Sequence, residues 1–155
     1  MELSALHTFD NLPGIWSGLG IQANYTWATS KDRDFNPINQ PLVVEPDSAL
    51  PGFAESAYNF TAFYDKDAVE VRLGYNFVGS YLTSRSGDGV QPRYTDEFGQ
   101  LDFSAAYHIN DNVTAMFSAN NLTDEARVDY LSQRDRVEYV EATGVRFQLG
   151  VRAKF

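Results

Sequence analysis

At 155 residues the chain falls in the usual one-domain range, and its 43% hydrophobic content goes with a mean hydropathy of -0.36. No stretch approaches the roughly 18 consecutive apolar residues of a membrane helix, which excludes a helical membrane protein. A net charge of -9 and a pI near 4.5 speak against nucleic acid, whose affinity rests on Lys and Arg, and the lack of cysteine removes disulfides, Cys-ligated zinc and thiol catalysis.

The first residues, MELSALHTFDNLPG, lack a basic segment followed by an apolar run, so they do not form a secretory signal. For an exported protein this implies that the chain is a fragment or a mis-started reading frame. Beyond them, six runs place apolar residues at every second position, the period of a strand with one greasy face. The first has Leu19, Ile21, Ala23, Tyr25 and Trp27 against Gly20, Gln22, Asn24 and Thr26. The second has Tyr58, Phe60, Ala62 and Tyr64 on the apolar side, with Phe63 as an exception among polar neighbours.

The third run carries Val69, Val71, Leu73, Tyr75, Phe77 and Tyr81 opposite Glu70, Arg72, Gly74, Asn76 and Ser80, with Val78 out of place. Leu101 to Ile109 form the fourth, backed by Asp102, Ser104 and His108, and Val113, Ala115, Phe117 and Ala119 form the fifth. The sixth, from Val145 to Phe155, sets Phe147, Leu149, Val151 and Ala153 against Arg146, Gln148, Gly150, Arg152 and Lys154. Every charged residue in these runs falls on the polar side. The pattern predicts an all-β, antiparallel, up-and-down sheet.

Alternation does not separate a soluble β-sandwich from a transmembrane barrel, but the connections favour the barrel. Short turns are expected around Lys66–Asp67 and Asn110–Asn112, and long links near residues 30 to 56, 83 to 98 and 123 to 142. Because the chain reverses at every strand, short turns gather at one end and long loops at the other, as in outer-membrane barrels. Strand lengths near 9 to 11 residues and aromatics near strand ends agree with a bilayer-spanning sheet.

Several stretches resemble the last part of the barrel of TonB-dependent outer-membrane receptors: SGLGIQANYTW (17–27), LPGFAESAYNFTAFYDKD (50–67), VRLGYNFVGSYL (71–82), NNLTDEAR (120–127) and the ending GVRFQLGVRAKF. The LPGF and NNLTDE stretches look most like the branch associated with oligosaccharide uptake, and siderophore receptors share much of the pattern. The resemblance implies a transmembrane barrel of about 22 strands, of which residues 1–155 are a C-terminal piece of about six, with the plug domain and the remaining barrel absent. Natural barrels begin at about eight strands. Six would leave two bare edges, an aggregation hazard in water.

The resemblance further implies a location in the bacterial outer membrane and contact with its lipid. It implies active transport of a small nutrient ligand, an oligosaccharide or a siderophore, driven by the TonB complex through the missing plug region. No catalysis and no cofactor are expected. Gln148, Gly150, Ala153 and Phe155 are similar to the signal read by the barrel-assembly machinery, although Ala153 is smaller than the residue usual there.

Arg72, Asn76, Asp102, His108, Arg146 and Arg152 are expected to face the barrel lumen. Asp102, Ser104 and His108 also invite a hydrolase reading. At about 3.3 Å per residue, however, Ser104 and His108 are on the order of 13 Å apart, too far for a triad. No metal-ligand spacing is visible, and the Asp32 and Asp34 region lacks a calcium-loop pattern. Aromatics and arginines in the long links are candidate ligand contacts, chiefly Arg85, Arg93, Tyr94, Tyr130, Arg134 and Tyr139, with Phe35 and Phe53 beside them, because rings stack on sugars and Arg holds carboxylates. A barrel hydrolase and a soluble β-sandwich binding module are the competing readings.

Overall fold

A computed structural model describes residues 1–30, 50–85 and 91–155. The candidate ligand contact Phe35, and Asp32 and Asp34 of the segment that lacks a calcium-loop pattern, lie outside the described residues. The strands in chain order are β1 (Glu2–Thr8), β2 (Leu19–Trp27), β3 (Ser56–Lys66), β4 (Val69–Val78), β5 (Tyr81–Ser84) and β6 (Arg93–Thr95). They continue as β7 (Phe98–Asn110), β8 (Val113–Asn120), β9 (Arg127–Leu131), β10 (Val137–Glu141) and β11 (Arg146–Ala153). A short 3-10 turn, Gly14–Gly18, separates β1 from β2. Lys66 pins it to the start of the β3–β4 turn by donating to the Gly14 carbonyl and to Ser17 Oγ.

The chain is all-β with antiparallel pairing throughout, as the alternation requires. Seven strands form the main sheet in the order β1-β2-β3-β4-β7-β8-β11, an open meander that is not closed into a barrel. The register aligns the apolar positions of neighbouring strands in rows: Ala23 opposite Phe60, Phe60 opposite Tyr75, Leu73 opposite Phe103, and Phe117 opposite both Ala105 and Leu149. One face is therefore apolar from β1 to β11. Among the described residues no second layer covers it: Ile21, Phe60, Leu73, Tyr107, Phe147 and Val151 are all exposed, and Leu149 is 85% exposed. Among the described residues, the buried hydrophobics are only Leu82, Ala119 and Tyr130. This sheet has no core of its own.

Two corrections to the sequence reading concern strand number. The six predicted runs all form main-sheet strands, but β1 adds a seventh that the alternation did not reveal. Its apolar face holds Leu3, Ala5 and His7, while Leu6 falls on the polar face opposite Gln22, which spoils the period. The links predicted as long loops over 83 to 98 and 123 to 142 instead contain β5, β6, β9 and β10, which form a second sheet in the order β10-β9-β6-β5. The β4–β7 pairing simply runs on: Val78 faces Phe98, and the same hairpin register then brings Tyr81 opposite Thr95. The short turns are where the sequence placed them, with Asp67 at φ 55° and Asn112 N–H held by Asn110 Oδ1 at 2.9 Å.

The two apolar exceptions on the polar face also have a physical basis. Phe63 lies opposite Gly20, and a Cβ added to that glycine would sit 2.2 Å from the Phe63 ring. The ring covers the bare backbone of its neighbour. Val78 faces Phe98, so its apolar surface meets another apolar side chain at the sheet end nearest β5.

Candidate functional site

The polar face of the main sheet collects every residue predicted to face a lumen. Arg72 stands opposite Ser104, Asn76 opposite Asn59 and Gln100, Arg146 opposite Asn120, and Arg152 opposite Thr114. Asn24 donates to Asn59 Oδ1 at 2.9 Å, Gln100 donates to Asp102 Oδ1 at 2.6 Å, and Ser118 reaches Gln148 Oε1 at 3.5 Å. The first and last of these pairs cross between strands and the Gln100–Asp102 pair runs along β7, so polar groups on this face satisfy one another beside the ladder.

Asp102, Ser104 and His108 do not come together. The Asp102 carboxylate accepts from the Asn121 backbone N–H at 2.9 Å, whereas His108 lies between Glu70 Oε1 at 2.9 Å and Thr114 Oγ1 at 3.0 Å. Sequence reasoning missed both partners of His108, since only the β4–β7–β8 register brings them together. The contact ties three strands together. His108 and Glu70 side chains are each 42% exposed, and the strand amides that could hold an oxyanion are committed to the ladder.

At the other end of the molecule, the second sheet gathers the predicted ligand contacts. Arg93 makes a two-pronged pair with Glu138, Nε to Oε2 at 2.5 Å and Nη2 to Oε1 at 2.7 Å. Arg134 lies 3.0 Å from Asp96 and 3.7 Å from Glu97. A hydrogen bond with Tyr130, then the Asp96 charge, raises the Arg134 guanidinium above its ordinary pKa, and Glu138 does the same for Arg93. Tyr94 and Tyr130 stack with ring centres 5.5 Å apart at 16°. Tyr139 is exposed on β10, and Arg85 follows the last residue of β5.

Beneath this surface runs a network that no sequence pattern announced. Thr95 Oγ1 donates to Asp129 Oδ1 at 2.9 Å and meets Thr83 Oγ1 at 2.7 Å, with Arg127 at 3.4 Å from both Asp129 and Thr95. Thr95 and Asp129 are buried, so the network fixes β5, β6 and β9 side by side. Where the segment before β3 crosses the second sheet, a cleft of about 370 Å³ opens, lined in part by Phe53, Glu55, Tyr81, Tyr94, Glu97 and Tyr130. The Gly52 N–H donates to the Leu82 carbonyl at 2.7 Å and holds that segment along the outer edge of β5.

The C-terminal strand carries the predicted assembly signal. Gln148 and Gly150 lie within β11, Ala153 is its last residue, and Phe155 lies two residues beyond, fully exposed. β11 pairs with β8 alone, so its other edge is unpaired. No family model, curated protein or solved structure matches the chain. Among the described residues, no group of three His, Asp or Glu is placed to hold a metal ion.

Proposed function

We propose that the chain is part of the wall of an outer-membrane transport barrel, the C-terminal segment of a TonB-dependent receptor for a small nutrient. One observation carries the reading: among the described residues, a seven-stranded antiparallel sheet has an uncovered apolar face and two edge strands without an outer neighbour. In water such a face and such edges drive aggregation. In a larger barrel the edges pair with further strands, lipid takes the apolar face, and the Asn, Asp, His and Arg rows line the interior. The second sheet prolongs four of the strands beyond the bilayer end and carries the tyrosines and paired arginines on the ligand side.

The function follows from that arrangement without bond chemistry. The wall encloses a polar path, the second sheet meets ligand outside, and the energy arrives through the plug that the resemblance implies. In this account the terminal Phe155 is read by the assembly machinery. Expression of the intact reading frame in a Gram-negative host tests the reading. The product is expected in the outer-membrane fraction with heat-modifiable migration, and Phe155→Ser is expected to lower its abundance several-fold. A soluble, monomeric, cooperatively folded product would overturn the proposal, and normal abundance of Phe155→Ser would remove the signal role.

A further inference from the structure

The cleft beside β5 differs in its lining from three further depressions, two on the main sheet's polar face and one near β1. Those on the polar face of the main sheet include Arg72, and the one near β1 has no charged lining residue. This cleft brings the aromatic side chains Phe53, Tyr81, Tyr94 and Tyr130 together with two carboxylates, Glu55 and Glu97, and neither Lys nor Arg lines it. Its volume of about 370 Å³ is within the range of small-molecule sites. Aromatic faces are electron-rich, so ring faces and carboxylates supply the same sign of potential to whatever enters. Arg134, beside Tyr130 and Glu97, borders the cleft without lining it.

The two carboxylates are not equivalent. Arg134 approaches Glu97 at 3.7 Å while lying closer to Asp96, at 3.0 Å. Glu55 is exposed and forms no ion pair among the described residues. It is therefore an exposed carboxylate lining a space that it shares with the buried Tyr130 and the Tyr94 ring stacked on it. We propose that this cleft binds a small organic cation of the quaternary-ammonium class, with the cationic head against the rings and Glu55 as counter-charge. The inference goes beyond the transport reading and is independent of it, since it uses only the walls of the cleft.

Choline and its uncharged isostere 3,3-dimethyl-1-butanol test it, titrated into the full chain in uncharged detergent micelles and followed by saturation-transfer NMR on the methyl protons. Choline is expected to bind about tenfold more tightly than the isostere. Glu55→Gln is expected to weaken choline several-fold and leave the isostere unchanged, whereas Tyr81→Leu weakens both. Both substitutions avoid the buried Tyr130, and an unchanged circular dichroism spectrum confirms that each variant keeps its strands. Equal binding of the two probes, binding of glucose in preference to choline, or no binding of choline would overturn the proposal, and none of these outcomes bears on the outer-membrane location.

Discussion

Replacing Leu73 by Arg is expected to destabilise the protein in phospholipid vesicles by about 2–4 kcal/mol, the cost of a cation on the lipid face near the bilayer centre. Leu73 sits in the middle of β4, opposite Ala62 on one side and Phe103 on the other, on the face that none of the described residues covers. If that face met water, the same substitution would change stability by no more than about 0.5 kcal/mol, as at other exposed positions, and would improve solubility. Thr61→Arg, on the polar face opposite Gly74, is the control and is expected to be nearly neutral. Denaturant titration of the vesicle-bound protein gives both values. A small effect for Leu73→Arg, or equal effects for the two variants, contradicts a lipid-facing surface.

The second large effect is expected at Asn121, where β8 ends and the chain turns towards β9. The residue is wholly buried and has φ 58°, in the left-handed region. Its side chain closes the turn from both sides, Oδ1 accepting from the Glu125 N–H at 2.9 Å and Nδ2 donating to the Glu125 carbonyl at 3.0 Å. Nδ2 also lies 3.5 Å from the Gly144 carbonyl just before β11. Asn121→Ala strands those backbone groups and adds the left-handed penalty, for a loss of about 2–4 kcal/mol. Asn121→Gly keeps the first loss and relieves the second, so it should recover about 1 kcal/mol relative to Ala. Urea titrations of the three proteins check the order Asn, Gly, Ala. An Ala variant within about 0.5 kcal/mol of the parent would show that the turn does not depend on this side chain.

The strands of the main sheet were legible because they form a single layer between two different surroundings. With no second sheet and no helix to pack against, apolar and polar demands fall on alternate residues without interruption, from Leu19 to Trp27 and again from Phe147 to Ala153. β1 escaped detection because Leu6 sits on the polar face. β5, β6, β9 and β10 escaped because strands of 3 to 5 residues are too short to show a period. They extend main-sheet pairings, β5–β6 in the same register and β6–β9 and β9–β10 after a shift. NNLTDE was legible as a motif but not as a mechanism, since the Asn121 turn becomes visible only with the Glu125 and Gly144 backbone in place.

The candidate site was legible by residue type and opaque by partner. Arg93, Tyr94, Tyr130 and Arg134 do cluster on the second sheet, yet both arginines already face carboxylates, Glu138 for one and Asp96 for the other. Those acids lie on neighbouring segments, and no sequence spacing relates them. The cleft is a further step removed, because Phe53 and Glu55 are placed there by backbone bonds that no sequence pattern shows, from Gly52 to Leu82 and from Ala28 to Glu55. Glu70 and Thr114, the partners of His108, are hidden for the same reason.

The central claim is that the two faces of the main sheet meet different solvents, and a single-cysteine scan tests it directly because the chain has no cysteine of its own. Cysteine placed in turn at Ala62, Leu73, Phe103 and Leu149, and at Thr61, Arg72, Asp102 and Gln148, samples the apolar and polar faces in protein folded into phospholipid vesicles. A membrane-impermeant maleimide is expected to label the second set and spare the first, while a bilayer-dissolved quencher is expected to reach fluorophores at the first set alone. Uniform labelling of both sets by the water-soluble reagent would contradict the account.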